Sequence, residues 1–370
     1  MNIRPAGRPP FRADHVGSLL RPPALRQAFR SHAESAIGDE EFARVQDDCV
    51  REVVRMQEEV GLEVVTDGEF RRGSYWGRFV ERTEGLEVRS ALLKFRDDHG
   101  REVDFTAPYA TAAMRRTRPL TLDEFTFLRA TTAVTAKITL PAPSTMHFLR
   151  FSDFSDRGAY ADPDRFFADL TGIFQQEIAD LVQAGCRYLQ LDEIAVALLC
   201  DGAIREKVTS GGGDPDALID RYIDAINAAV AACPDQVVVG VHMCRGNFRG
   251  RYLAEGGYDS VAERFFVRTD ADHFLLEYDT PRAGDFAPLR FVPTGKGVVL
   301  GLVSSKTPVL ESMDGLRRRT DEATRHIDLG RLAISPQCGF ASSAGGNPLS
   351  EADERAKLRL VVEAARAIWR

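Results

Sequence analysis

Two periodicities take turns along the chain. Short runs rich in Val, Ile and Leu read as strands: "DHVGS" (14–18), "EVVTDGE" (63–69), "AKITLPAP" (136–143), "YLQLDE" (188–193), "VVVGVHMC" (237–244), "HFLLEYD" (273–279), "GVVLGLVSS" (297–305) and "RLAISPQCG" (331–339). Between them lie longer stretches with apolar residues about every 3.6 positions, the period of an amphipathic helix. Strands alternating with helices predict repeated βα units around a parallel sheet. Eight runs predict an α/β fold of the (β/α)8 TIM-barrel type.

The clearest helical stretches are residues 39–61, 162–185 and 350–369. Ser350 opens the third like an N-cap, with Glu354 near its positive end. This helix is expected to close the barrel. Residues 80–135, between the second and third strands, are too long for a simple crossover and read as an insertion over one barrel mouth. Within it, "LKFRDDHGREVDF" (93–105) predicts a hairpin around a His-Gly turn, and "TRPLTLDEF" (117–125) an extended connection.

Composition narrows the class. The chain has 370 residues, of which 44% are hydrophobic, and no tract resembles a linker, so one domain over residues 1–370 accommodates it. A formal net charge of -7 with both signs interspersed gives no basic stripe for nucleic acid. The N-terminal stretch lacks an apolar signal region, and no run approaches the ~18 apolar residues of a membrane span, so a cytoplasmic soluble protein is expected. Six scattered cysteines suit free thiols or metal ligands better than a disulfide framework. Nothing in the sequence fixes an oligomeric state, although a helical barrel exterior can form homo-oligomers.

Side chains at the C-terminal ends of barrel strands converge on one mouth. Polar residues accumulate at those ends here. His242 and Cys244, two apart on one strand, share a face, and Glu277 and Cys338 can approach from neighbouring strands. Two thiolates, an imidazole and a carboxylate suit tetrahedral zinc. Cys49, Cys186, Cys200 and Cys233 lie in or near helices and loops and are read as structural.

The segments "DHVGSLLRP", "TDGEFRRGSYW", "LQLDE", "HMCRGNFR", "LGLVSSKTP" and "SPQCGFASS" resemble the cobalamin-independent methionine synthase family, specifically the shorter proteins corresponding to its C-terminal catalytic barrel. The resemblance extends over nearly the whole chain. It implies zinc-dependent transfer of a methyl group to the sulfur of homocysteine, with a methylfolate-like donor. Carried over, the family's zinc ligands fall on His242, Cys244, Glu277 and Cys338. Val16-Gly17-Ser18 matches the segment that holds the amino-acid carboxylate, and Glu69 and Asp192 match the carboxylates that receive its ammonium.

Two departures stand out. Where the long enzymes have a histidine suited to proton transfer, "SSKTP" places Lys306, whose ordinary pKa of about 10.4 must be lowered by burial for it to act as the acid. "KITLPAPSTMHF" has no tryptophan to stack on a pterin, which leaves Trp76 as either a platform or a packing residue. His15 is a candidate substrate contact or a strand-end hydrogen bonder. Among the arginines Arg71, Arg72, Arg245 and Arg249, Arg245 is the strongest candidate for an anionic substrate tail. Lys137 lies within a strand and is expected to face either the helix layer or the site.

Two other functions fit parts of this pattern. A zinc thiolate could open an epoxide, as in epoxyalkane:coenzyme M transferases, in which case the arginines matter more than the acidic pair. Alternatively the zinc is structural and the barrel binds a partner, but structural zinc ligands are usually close in sequence, and these are far apart.

Overall fold

In the computed structural model, which describes residues 7–369, the Val- and Leu-rich runs form strands whose side chains are buried on both faces. Residues 1–6 and 370 fall outside the described residues, and with them the outermost ends of the expected 1–370 domain and the start of the N-terminal stretch. In chain order the strands are β1 (Val64–Val65), β2 (Thr83–Ser90), β3 (Phe95–Arg96), β4 (Glu102–Val103), β5 (Thr106–Arg116), β6 (Thr135–Pro141), β7 (Tyr188–Glu193), β8 (Val238–Met243), β9 (His273–Glu277), β10 (Gly297–Val303) and β11 (Leu332–Pro336).

Seven of them form one sheet in the order β1-β6-β7-β8-β9-β10-β11, and each neighbouring pair is parallel. Helices cover its outer face, so both faces are buried, as an all-parallel sheet requires. The sheet curls into a TIM-barrel-like half-barrel.

The run 14–18 does not form a regular strand. Ala13 makes a single parallel bridge to Ile334, Asp14 N–H donates to Ile334 O at 3.0 Å, and Leu19 N–H donates to Gly68 O at 3.0 Å. The segment thus touches both edges of the sheet. Several of its other backbone groups bond to side chains: His15 N–H donates to Asp14 Oδ1 at 2.7 Å, and the Thr66 hydroxyl donates to Gly17 O at 2.6 Å. Gly17 has φ 135°, and a Cβ there would lie 2.7 Å from the Thr139 methyl. Those bonds and that geometry displace a ladder.

Between β1 and β6, β2 pairs antiparallel with β5, and β3 with β4. The β3–β4 turn is held by Asp97, whose carboxylate accepts from the N–H groups of His99 and Arg101, while Gly100 takes φ 74°. The stretch 117–125 is not extended throughout, because a helix begins at Leu122 (Leu122–Thr131). Its entry is fixed by the buried carboxylate of Glu177, which accepts from the N–H groups of Leu120 and Thr121 and from the Thr121 hydroxyl. That acceptor lies 57 positions away from Leu120 and leaves no local signal.

The expected long helices form at Asp39–Glu59, Pro163–Gln183 and Glu351–Ile368. Ser350 caps the last one through a box with Asp353. Glu354 instead turns inward, where its Oε2 accepts from Leu20 N–H at 2.8 Å and ties this helix to the first segment. Burial pushes its carboxyl up to about 8. Among the described residues no helix is long and apolar enough to cross a membrane. All seven sheet strands run the same way, so their C-terminal ends share one rim.

Candidate active site

The end of β8 carries His242, with Cys244 just beyond it, and Cys338 follows β11 by two residues. The two sulfurs lie 3.5 Å apart, and with the imidazole their ligand atoms all fall within 4.8 Å of one another. His242 Nδ1 lies 3.2 Å from Leu275 O, an acceptor only, so Nδ1 donates there and Nε2 is the nitrogen left to face the sulfurs. That Nε2 is buried and has no partner. The Cys338–Cys244 hydrogen bond draws the Cys244 thiol well below its ordinary pKa and, with burial, raises that of Cys338. An orphaned imidazole nitrogen facing two sulfurs that favour one thiolate fits a soft or borderline metal such as zinc.

Glu277, the fourth expected ligand, stands outside this cluster of three. Its Oε1 lies 3.3 Å from Lys306 Nζ and its Oε2 accepts from Arg245 N–H at 2.6 Å. Against burial, Lys306 and Arg245 hold its carboxyl below the usual range.

Ser18, Glu69, Asp192, His242, Cys244 and Cys338 line one cavity. Glu69 occupies the left-handed region, with φ 59°. Asp67 Oδ1 accepts from its N–H at 2.9 Å, and Thr139 donates to its Oε1 at 2.8 Å. Arg72 stands 3.5 Å from the same oxygen. Glu69 Oε2 is buried without a partner. Burial pushes Asp192 up to about 7, with Glu69 adding to the rise against the pull of His242. Two carboxylates this enclosed call for a cation.

Several sequence expectations change here. His15 alternates with Asp14 and Val16 and faces Gln57 and Val64 instead of the cavity, and burial lowers its pKa to about 3. Arg245 is equally unavailable to substrate: its guanidinium donates to Gly256 O at 2.9 and 2.6 Å, also reaches Ala283 O, and lies over the Tyr258 ring at 4.2 Å. What it contributes is the backbone N–H on Glu277. Lys306 is held as a charged ammonium, because Glu277 and Asp279 raise its pKa despite burial. A raised pKa makes it a weaker acid than a free lysine. Arg71 pairs with Asp47, and Arg72 with Glu124 and Thr139. Lys137 faces the barrel interior, not the helix layer. Cys49 and Cys186 are buried in the core, Cys200 and Cys233 pack against it, and none joins the metal cluster.

Sequence reasoning passed over two residues. Asn247 lines the cavity, donates to Ser305 Oγ and Gly339 O at 3.0 Å each, and has a buried, unpartnered Oδ1. Its place three residues after Cys244 was the available signal. Tyr75 lines both this cavity and an adjoining cleft, which also share Phe95, Ile194 and Ser342. Trp76, Phe105 and Phe248 make much of that cleft aromatic. Trp76 is 6% exposed, so it is both a cleft wall and a packing residue.

The profile of the family described as "Cobalamin-independent synthase, Catalytic domain" matches residues 11–367. The uncharacterized protein YxjH of Bacillus subtilis is 39% identical over 365 residues, covering 98% of this chain and 95% of that protein. A methionine synthase of Pyrococcus abyssi is 25% identical over 326 residues, 88% of this chain and 85% of its own. Among solved structures, a Listeria monocytogenes protein provisionally described as a vitamin-B12-independent methionine synthase superposes with a TM-score of 0.75 at 30% identity, covering 97% of this chain and 98% of that one.

Proposed function

Because this chain belongs to the family of cobalamin-independent synthase catalytic domains, we propose that it is a zinc-dependent methyltransferase that methylates the thiol of homocysteine to give methionine. One observation carries this reading: the His242, Cys244 and Cys338 donor set and the Glu69 and Asp192 carboxylates face a single cavity. An aminothiol satisfies both halves at once. Zinc held by His242, Cys244 and Cys338 would keep the substrate sulfur as a thiolate, the nucleophilic form at neutral pH.

The chain's own residues do the positioning. Glu69 Oε2 and Asp192 receive the ammonium, and the Val16-Gly17-Ser18 segment lies where the carboxylate would be held. Lys306 keeps Glu277 ionised and supplies positive charge near the site. Glu277 can serve as a further oxygen ligand if that ion pair opens. The aromatic cleft beside Tyr75 and Trp76 suits the flat ring of a methylfolate-like donor, next to the thiol pocket. In the transfer a sulfur–carbon bond forms as the donor's bond to the methyl carbon breaks, the electron pair of that bond stays on the donor nitrogen, and a proton delivered to the nitrogen balances the one the thiol gave up. We take the barrel to be complete, with the 14–18 segment in the place of its first strand and residues 80–135 as the insertion. We place the protein in the cytoplasm, where its thiols stay reduced.

A sulfonate thiol such as coenzyme M fits less well, since Arg71, Arg72 and Arg245 are already engaged. Cobalt substitution decides between the two. Homocysteine should change the sulfur-to-cobalt charge-transfer band of the wild type but not of Cys338→Ser. A response to coenzyme M alone would sink the aminothiol assignment.

A further inference from the structure

Below the cavity floor, a chain of buried polar side chains crosses the barrel. Gln190 lies two residues before Asp192 on β7 and shares its face. Its Nε2 donates to Asp192 Oδ1 at 2.7 Å and to Val16 O at 2.6 Å. Its Oε1 accepts from Lys137 Nζ at 3.0 Å. Lys137, fully buried, directs its other two donors to Asp14 Oδ1 at 2.7 Å and to His15 O. Asp14 Oδ2 in turn accepts from the Tyr188 hydroxyl at 2.5 Å, which is 2.7 Å from His273 Nε2.

Donor and acceptor chemistry fixes the amide. An ammonium has three donors and no acceptor, so only the Gln190 oxygen can face Lys137. Turned over, the amide would set its NH2 against that ammonium and its oxygen against Val16 O and the Asp192 carboxylate. Both contacts would be repulsive in a site sealed from water. The orientation of Gln190, and through it that of Asp192, is therefore set by a lysine with no direct hydrogen bond to Asp192.

We propose that Lys137 and Gln190 are positioning residues that hold Asp192 as an acceptor for the substrate's ammonium, and so set the preference for amino-bearing thiols. This rests on the aminothiol reading above. Neither residue lines the cavity. Their effect should therefore appear in discrimination, not in a uniform loss of binding.

The test is calorimetric affinity of the zinc-loaded enzyme for homocysteine and for its des-amino analogue, mercaptobutyrate. Lys137→Met and Gln190→Met should each reduce the wild-type preference for homocysteine by about tenfold, with mercaptobutyrate affinity changed by no more than about twofold. Gln190→Met leaves the Lys137–Asp14 pair in place and decides the matter if Lys137→Met fails to fold. Unchanged preference in a folded Gln190→Met, or equal weakening of both ligands, overturns the proposal. A wild type without any preference overturns the aminothiol reading itself, which separates the two failures.

Discussion

Glu69 holds an unpartnered buried oxygen on a backbone at φ 59°, a conformation unfavourable for a residue with a Cβ. Thr139 and Arg72 fix one oxygen and leave the other free for a cation. Glu69→Gln retains the shape and removes the charge. It should raise the KM for homocysteine by about tenfold or more, with zinc content unchanged. Steady-state kinetics with metal analysis checks this, and loss of zinc in that variant would count against the assignment. A different residue contributes to acid stability. His147 is buried among Phe154, Phe166 and Phe167, with Nδ1 2.9 Å from the Tyr222 hydroxyl. Burial, aided by Arg221, lowers its pKa to about 3 from an ordinary 6.5. Its contribution to stability is complete above the unfolded value and is lost as pH falls from there toward the folded one. Over that window the slope is ~1.4 kcal/mol per pH unit. Denaturant titrations at several pH values should show the slope of His147→Phe shallower by about that amount than the parent's, although the variant is weaker at neutral pH.

At the level of elements, the closing helix shows how a local signal and a tertiary one divide the work. The Ser350 side chain and Asp353 cap each other's backbone N–H groups. Ser350→Ala should cost about 1 kcal/mol, read as a lowered thermal midpoint without loss of activity. The expected acid, Glu354, answers instead to Leu20 across the fold. The same division holds for strands. Those from β6 to β11 that carry the sheet were legible as apolar runs, because burial on both faces demands them. The 14–18 run was not legible as irregular, since the partners of its Asp14 N–H and Gly17 O, Ile334 and Thr66, are supplied by distant segments.

For the whole molecule, the metal question separates catalysis from architecture. His242, Cys244 and Cys338 sit at the rim of a sheet whose core is formed by independent apolar clusters. Removing the metal with a chelator should abolish methyl transfer while far-UV circular dichroism stays unchanged. Global unfolding would instead support the structural-zinc reading, because closed structural sites supply folding energy directly.

The sequence alone determined the alternation of strand and helix, the rim on which chemistry gathers, and three of the four donors expected there, since these follow from local period and residue type. Only the tertiary structure decided which polar groups are free. Arg245 and Lys306 read as substrate and acid candidates until the carbonyls and carboxylates that engage them were brought close. Gln190 carried no signal in the sequence, and Lys137 stood between helix layer and site, until Asp14, Val16 and Asp192 were set around them. Side-chain identity fixes what a group can donate or accept. Whether that capacity is satisfied depends on partners that the chain supplies from far away.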